Sequence, residues 1–212
     1  MKKILLLSFV CFCIVSIANS QINKGSILLG GGFNFLNNKE TIGNPNQKEN
    51  STGFTPAIGV AIKQNLLIGI QFIYAYSKNT ITSSPDYKNN VYGAEIFLRK
   101  YLVLGKSFYL FGQTDLYYRH SKYTYDYITY ATEQKDQSIG IGFYPGISYA
   151  VTKRFHLEIG LANLVSFEYS NHKYVNAGVT TENRHGEFFN VAASSLSNLT
   201  IGFRFFLAKN KS

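Results

Sequence analysis

The chain has 212 residues, with 21 Lys and Arg against 12 Asp and Glu and a formal net charge of +9. It carries 16 Tyr, 17 Phe and 18 Gly but no Trp and only 4 Pro, a balance that favours many strands. Both cysteines, Cys11 and Cys13, sit in the first apolar run, so the rest of the chain has no thiol for a disulfide or a cysteine metal site, and no later stretch reaches the length of a membrane-spanning helix.

Met1-Lys2-Lys3 is a short basic start, and Ile4 to Ile17 is nearly unbroken apolar sequence. Ala18-Asn19-Ser20 then supplies small residues at the −3 and −1 positions of a cleavage site. This pattern predicts a secretory signal peptide over residues 1–20, cleaved before Gln21, and one domain over 21–212. A retained anchor helix would need roughly 20 apolar residues, more than this run supplies. Val10 and Phe12 precede the two cysteines, which speaks against lipidation.

From Gln21 onward the governing signal is a period of two. Ile27, Leu29, Gly31, Phe33 and Phe35 share one face of the first predicted strand. Phe54, Pro56, Ile58, Val60 and Ile62 share a face of the second, and Leu66, Ile68, Ile70, Phe72 and Tyr74 a face of the third. Tyr92, Ala94, Ile96 and Leu98 follow, then Phe108, Leu110, Gly112, Thr114, Leu116 and Tyr118. The sixth predicted strand carries Ile139, Ile141, Phe143, Pro145, Ile147 and Tyr149, and the seventh runs from Phe155 to Phe167. Leu199, Ile201, Phe203, Phe205 and Leu207 make the eighth. The opposite faces carry small, polar and charged residues.

These segments are ~10 residues or longer, the length a tilted strand needs to cross a bilayer. The connections alternate strictly. Those at Lys63-Gln64-Asn65, Gly105-Lys106-Ser107 and Thr152-Lys153-Arg154 are tight. Those at Asn37–Thr52, Ser77–Asn89, Ser121–Asp136 and Ser170–Ser194 are long. Outer-membrane barrels pair short periplasmic turns with long external loops. The expected fold is therefore an all-β, eight-stranded antiparallel up-and-down transmembrane β-barrel in the bacterial outer membrane, both termini periplasmic. Pro56 and Pro145 lack a ladder donor and are expected at a bulge or near a rim. Asn163 falls on the lipid face in this register, which predicts a bulge or a protein-covered spot.

With the strands laid out, residues 21–212 resemble the small outer-membrane β-barrel domain family, the OmpA/OmpX-type barrels, especially the glycine- and tyrosine-rich versions of Bacteroidetes-like bacteria. The resemblance rests on the signal peptide, the strand and loop rhythm, and the aromatic end Leu199-Thr200-Ile201-Gly202-Phe203-Arg204-Phe205-Phe206-Leu207. It implies that the barrel-assembly machinery reads this last strand, although five residues, Ala208 to Ser212, follow it. A shared architecture does not by itself assign a function.

The inward positions Glu95, Arg99, Asp115, Arg119, Glu158, Glu168 and Arg204 form a predicted lumen charge network. Buried charges must be paired. Hairpin geometry predicts Arg99 or Arg119 between Glu95 and Asp115, with Glu158 facing Arg204. An eight-stranded barrel is filled by its own side chains, so a polar plug is expected rather than a pore. Sorted by location, the external charges balance. The rest, Lys24, Lys63, Lys100, Lys106, Lys153, Arg154, Lys209 and Lys211, form a wholly basic periplasmic rim. Those lysines either snorkel to the interface or attract anionic head groups and cell-wall polymer.

Tyr117 and Tyr118 are expected in an interfacial girdle. Tyr123, Tyr125, Tyr127 and Tyr130 fit equally a girdle or an external binding surface. No P-loop, HExxH, GxSxG or EF-hand pattern is present. His172 and His185 could meet in one long loop to bind a metal, although solvated loop histidines are favoured. His120 and Ser121 are neighbours that point to opposite faces of a strand, so they do not pair as base and nucleophile. The expected protein is non-enzymatic and needs no cofactor, with a structural or surface-interaction role through its external loops. A membrane-embedded lipid-modifying enzyme and a narrow channel or small-ligand carrier are the competing readings. Expected partners are outer-membrane lipid and the barrel-assembly machinery, with the cell wall or an extracellular ligand as further candidates. Nucleic acid is excluded by compartment.

Overall fold

Alternating residues extend because each strand can then offer one face to lipid and the other to the interior. In the computed structural model, which describes residues 21–40, 47–81, 86–126, 131–161, 164–176, 179–191 and 199–207, this produces ten antiparallel strands and no helix among the described residues. They are β1 (Ile27–Glu40), β2 (Gln47–Lys63), β3 (Leu66–Ile81), β4 (Asp86–Val103), β5 (Phe108–Asp126), β6 (Ala131–Ala150), β7 (Phe155–Leu161), β8 (Val165–Asn176), β9 (Val179–Val191) and β10 (Leu199–Leu207). The signal-peptide region, Asn163, Tyr127, Tyr130, Lys209 and Lys211 lie outside the described residues.

The sheet order is β5-β4-β3-β2-β1-β10-β7-β6-β8-β9, and β5 also pairs with β6. The wall is not closed over its full height. Beyond Phe33, β1 pairs only with β2, and β9 pairs only with β8, among the described residues.

Ten strands replace the eight expected, for two physical reasons. The seventh predicted strand is split. Gly146 pairs with Gly160 and Phe143 with Val165, so four positions, 161–164, stand against two, Tyr144 and Pro145. An even surplus preserves parity, so Val165 and Phe167 stay on the exposed face that Ile159 occupies. Pro145, which has no N–H to donate, sits at this irregularity. The second reason is that strands continue past the membrane. The four long connections are mostly strand, with β9 the extra element. Outside lipid both faces can be polar, so the period of two fades from the sequence while the ladder persists.

The three tight turns hold. Asn65 closes the first with φ 57°, a left-handed conformation that asparagine tolerates. Its side chain accepts from the Ile22 backbone N–H at 2.8 Å, folding residues 21–26 across this end of the barrel.

The outward face is apolar and exposed, as at Ile70, Ile96, Leu116, Ile141 and Ile159. Aromatic pairs mark its two edges. Phe108–Tyr149 and Phe155–Phe205 lie near the short turns, with ring centroids 4.9 and 4.7 Å apart. Tyr74–Tyr92 and Phe33–Phe54 lie at the far edge, 5.4 and 4.8 Å apart. On β5 the belt runs from Phe108 to Tyr118, the ~9–11 residues a tilted spanning strand needs. Tyr118 belongs to it. Tyr117 does not: it is buried and points inward, because adjacent strand residues face opposite ways.

Room for the interior is made partly by glycine. Gly59 and Gly69 are directly paired, and a Cβ on Gly69 would lie 2.4 Å from both Ile58 O and Phe97 Cζ.

Candidate functional site

The lumen is layered. Near the short turns it is apolar rather than polar. Leu28, Leu67, Tyr101, Tyr109, Phe111 and Phe206 are buried there. Tyr101 contacts Tyr109, Phe111 and Phe206 at centroid distances of 5.9, 5.9 and 6.1 Å. His156 packs between Tyr109 and Phe206, at 5.1 and 4.8 Å, with Nδ1 3.1 Å from Ser148 Oγ. This aromatic plug corrects the expectation of a purely polar interior. The sequence carries its signal: Tyr101, Tyr109 and Phe111 continue the inward faces of β4 and β5 on which Arg99 and Asp115 lie.

Above the plug lies a charged layer centred on Glu158. Arg99 Nη1 stands 2.6 Å from Glu158 Oε2, and the Tyr101 hydroxyl donates to Glu158 Oε1 at 2.5 Å. Arg204 Nε is 3.3 Å from the same Oε2, while its Nη1 donates to the Gly31 carbonyl at 2.7 Å. Arg99 Nε donates to Gln113 Oε1 at 2.5 Å, and Gln113 Nε2 passes the chain to Asp115 Oδ1 at 2.6 Å. Of the two arginines expected near Glu95 and Asp115, Arg99 reaches across the lumen to Glu158 on β7, while Arg119 lines a cavity with both acids. A long guanidinium stem can span a filled barrel to a strand that hairpin geometry does not make its neighbour.

Glu95, Asp115, Arg119 and Arg204 line a cavity of about 260 Å³ above this layer, with Gln71 and Tyr144. Arg119 lies over the Tyr117 ring at 4.0 Å, and the Tyr117 hydroxyl donates to half-buried Glu168 at 3.0 Å.

Farther out, β4, β5 and β6 stand beyond the aromatic belt. Tyr123 and Tyr125 are half-buried on the face continuous with the lumen, and Tyr125 packs on Tyr87 at 5.8 Å. Lys122 Nζ lies 2.6 Å from Glu133 Oε1, and its hydrogen bond holds that carboxyl below the ordinary range. His172 and His185 do not meet. In the β8–β9 ladder His172 opposes Arg184 and His185 opposes Asn171, so they take opposite faces. His185 stacks on Tyr169 at 6.3 Å, while His172 lies between Ser170 and Asp136. At the opposite end Lys63, Lys100, Lys106, Lys153 and Arg154 are exposed around the short turns.

An antiparallel wall with an apolar outer belt, an aromatic plug and buried ion pairs inside is a transmembrane β-barrel whose lumen is plugged toward the short turns. Among solved structures the chain is similar to outer-membrane barrels. With the translocator domain of autotransporter NalP from Neisseria meningitidis it shares 10% identity and a TM-score of 0.49, over 89% of this chain and 65% of that one. It therefore spans just under two thirds of that translocator's length. Neisserial surface protein A gives 16% identity and 0.38, over 88% and 97% of the two chains. A major outer membrane protein from Thermus thermophilus gives 7% and 0.48, over 86% and 99%. No family model and no curated protein sequence matches the chain.

Proposed function

We propose that this chain is an integral bacterial outer-membrane protein whose barrel is a sealed anchor and whose role lies in its extracellular extensions. The observation that carries this reading is the contrast between the two ends. One end is stopped by Tyr101, Phe111 and Phe206 beneath the Arg99–Glu158 pair. At the other, β5 continues from Arg119 to Asp126 beyond the apolar belt, hydrogen-bonded to β4 and β6 along its length. The plugged end disfavours the channel reading, because buried rings and paired charges occupy the lumen there.

With both termini in the periplasm, the extensions face the medium and offer Tyr87, Tyr123 and Tyr125 for contact. The exposed rim cations then face anionic lipid head groups or cell wall. Assembly would proceed through the machinery that reads aromatic terminal strands such as β10.

Two measurements test this. An epitope inserted at residues 127–130 should be recognised on intact cells. Recognition only after permeabilisation would reverse the orientation. The reconstituted wild type should give no steady conductance in planar bilayers, and a large steady conductance would overturn the sealed-anchor reading.

A further inference from the structure

We propose that Ser170, His172 and Asp136 form a nucleophile–base–orienting relay at the outer mouth of the lumen that hydrolyses carboxylic esters of acyl lipids. This goes beyond the sealed-anchor reading: the relay does not need a sealed lumen, and only its outer-leaflet placement rests on the orientation proposed there.

The relay follows from strand geometry. Ser170 and His172 are two residues apart on β8 and share its inward face. Ser170 Oγ lies 2.9 Å from His172 Nε2. Asp136 is the direct partner of His172 in the β6–β8 ladder, and its Oδ1 lies 2.9 Å from His172 Nδ1. Gln134 Nε2 donates to both oxygens of that carboxylate, at 3.0 and 3.1 Å, and so holds it in place. A hydroxyl within hydrogen-bond reach of an imidazole whose other nitrogen faces a carboxylate is the constellation that activates serine. The Nδ1–H is not aligned on Asp136 in this structure, so the ring must turn as substrate docks. Such tightening in the substrate complex is common.

The surroundings point to a lipid ester. Ser170 follows Tyr169, which is paired with Ile139 and through it with Tyr118 of the outer belt. That height is where acyl esters of an outer leaflet lie. Across the β8–β9 ladder, Ser170 faces Gly186, which has no side chain, and His172 faces Arg184. A guanidinium there can meet a head-group phosphate or the developing oxyanion. Phe188 stands edge-on to the His172 ring at 6.2 Å and is half-exposed, an apolar surface for an acyl chain. Ser170 is itself buried, so the ester must come from the side. At this height β9 and β1 share no ladder among the described residues, and that is the side on which the wall is unpaired.

The chemistry balances with water alone. Ser170 Oγ attacks the ester carbonyl carbon while His172 Nε2 takes the hydroxyl proton. The bond to the alcohol oxygen breaks, and the same proton passes from Nε2 to that oxygen. Water then attacks the acyl carbon, giving a proton to Nε2; the bond from that carbon to Ser170 Oγ breaks, the proton passes from Nε2 to Oγ, and the carboxylic acid leaves. Asp136 is a positioning residue, since it acts through His172.

The test uses the full mature barrel, residues 21–212, refolded in detergent and shown to be folded by heat-modifiable gel mobility. A fluorophosphonate probe should modify it, and peptide mass spectrometry should place the phosphonate on Ser170. Hydrolysis of p-nitrophenyl laurate in mixed micelles should fall at least a hundredfold in Ser170→Ala. Asp136→Asn should lower kcat and shift the pH profile of the remaining activity, a readout that a structural role alone would not move. If folded wild type is not modified, is modified only elsewhere, or if folded Ser170→Ala keeps its rate, the proposal is wrong. Should Ser170→Ala fail to fold, the labelling site in wild type decides.

Discussion

Arg99 and Glu158, 59 positions apart in sequence, meet at 2.6 Å in the middle of the lumen with both side chains essentially sealed from solvent. Neither is on a strand adjacent to the other in the sheet. Glu158 is also approached by Arg204 and by the Tyr101 hydroxyl, so one carboxylate answers two guanidinium groups.

This makes Glu158 the costliest member to lose. Glu158→Gln strands two buried cations, and breaking a buried pair costs roughly 3–5 kcal/mol. Arg204→Met should cost less, because Glu158 keeps Arg99 and Tyr101. Urea unfolding of the refolded barrel in lipid should rank Glu158→Gln as least stable, with Arg204→Met milder. The reverse order would mean that Arg204 carries the layer.

The aromatic plug predicts a change in conductance. Tyr101→Ala, Phe111→Ala and Phe206→Ala together remove the rings that meet near the short turns. Planar bilayers should record steps from the triple variant and none from the wild type. A silent but folded variant would place the seal in the charged layer instead.

Small residues under large rings should be intolerant of a methyl group. Gly146→Ala puts a Cβ 2.4 Å from Phe111 Cζ and 2.5 Å from the Ile159 carbonyl. Overpacking of this kind costs typically 1–3 kcal/mol. Gly112→Ala meets only the Phe143 ring, at 3.2 and 3.3 Å, and should be nearly neutral. Equal unfolding midpoints for the two variants would contradict this packing.

Glu133 lies outside the spanning belt, with its pKa lowered first by the hydrogen bond from Lys122. A depressed folded-state value stabilises the protein above the ordinary carboxylate pKa. That stabilisation fades as pH falls through the folded value. The pair is partly exposed, so the effect should stay below about 1 kcal/mol. An NMR titration should find Glu133 below the usual glutamate range, and Lys122→Met should raise it. No response to Lys122→Met would remove the cause assigned here.

The basic rim offers a test of attraction against snorkelling. Lys63, Lys106, Lys153 and Arg154 are exposed around the short turns. Each cation near an anionic surface contributes ~1 kcal/mol at most, and salt screens it within a Debye length. Reversing all four to glutamate should weaken partitioning into anionic over neutral vesicles, and co-sedimentation with cell wall, at low salt. Unchanged behaviour in both assays would leave snorkelling alone.

The sequence by itself determined which way most spanning residues face, Tyr117 being the exception, since its neighbour Tyr118 and not Tyr117 lies in the girdle. A period of two is local, and it placed Ile27, Ile96 and Ile159 outward and Glu95, Asp115 and Arg204 inward without any partner strand. The tight turn at Asn65 was equally local. What the tertiary structure decided was everything that depends on where a closing wall brings distant strands. Arg99 could be assigned to the lumen from its parity, but its choice of Glu158 depends on the stagger between β4 and β7. The relay of Ser170, His172 and Asp136 needs β6 and β8 in one register, which the split after Leu161 sets. The extensions of β4 to β6 look like loops in the sequence because, outside lipid, both faces can be polar and the alternation is lost. Local periodicity is written along the chain, whereas cross-lumen contacts are set by strand stagger and tilt, which no short window of residues encodes.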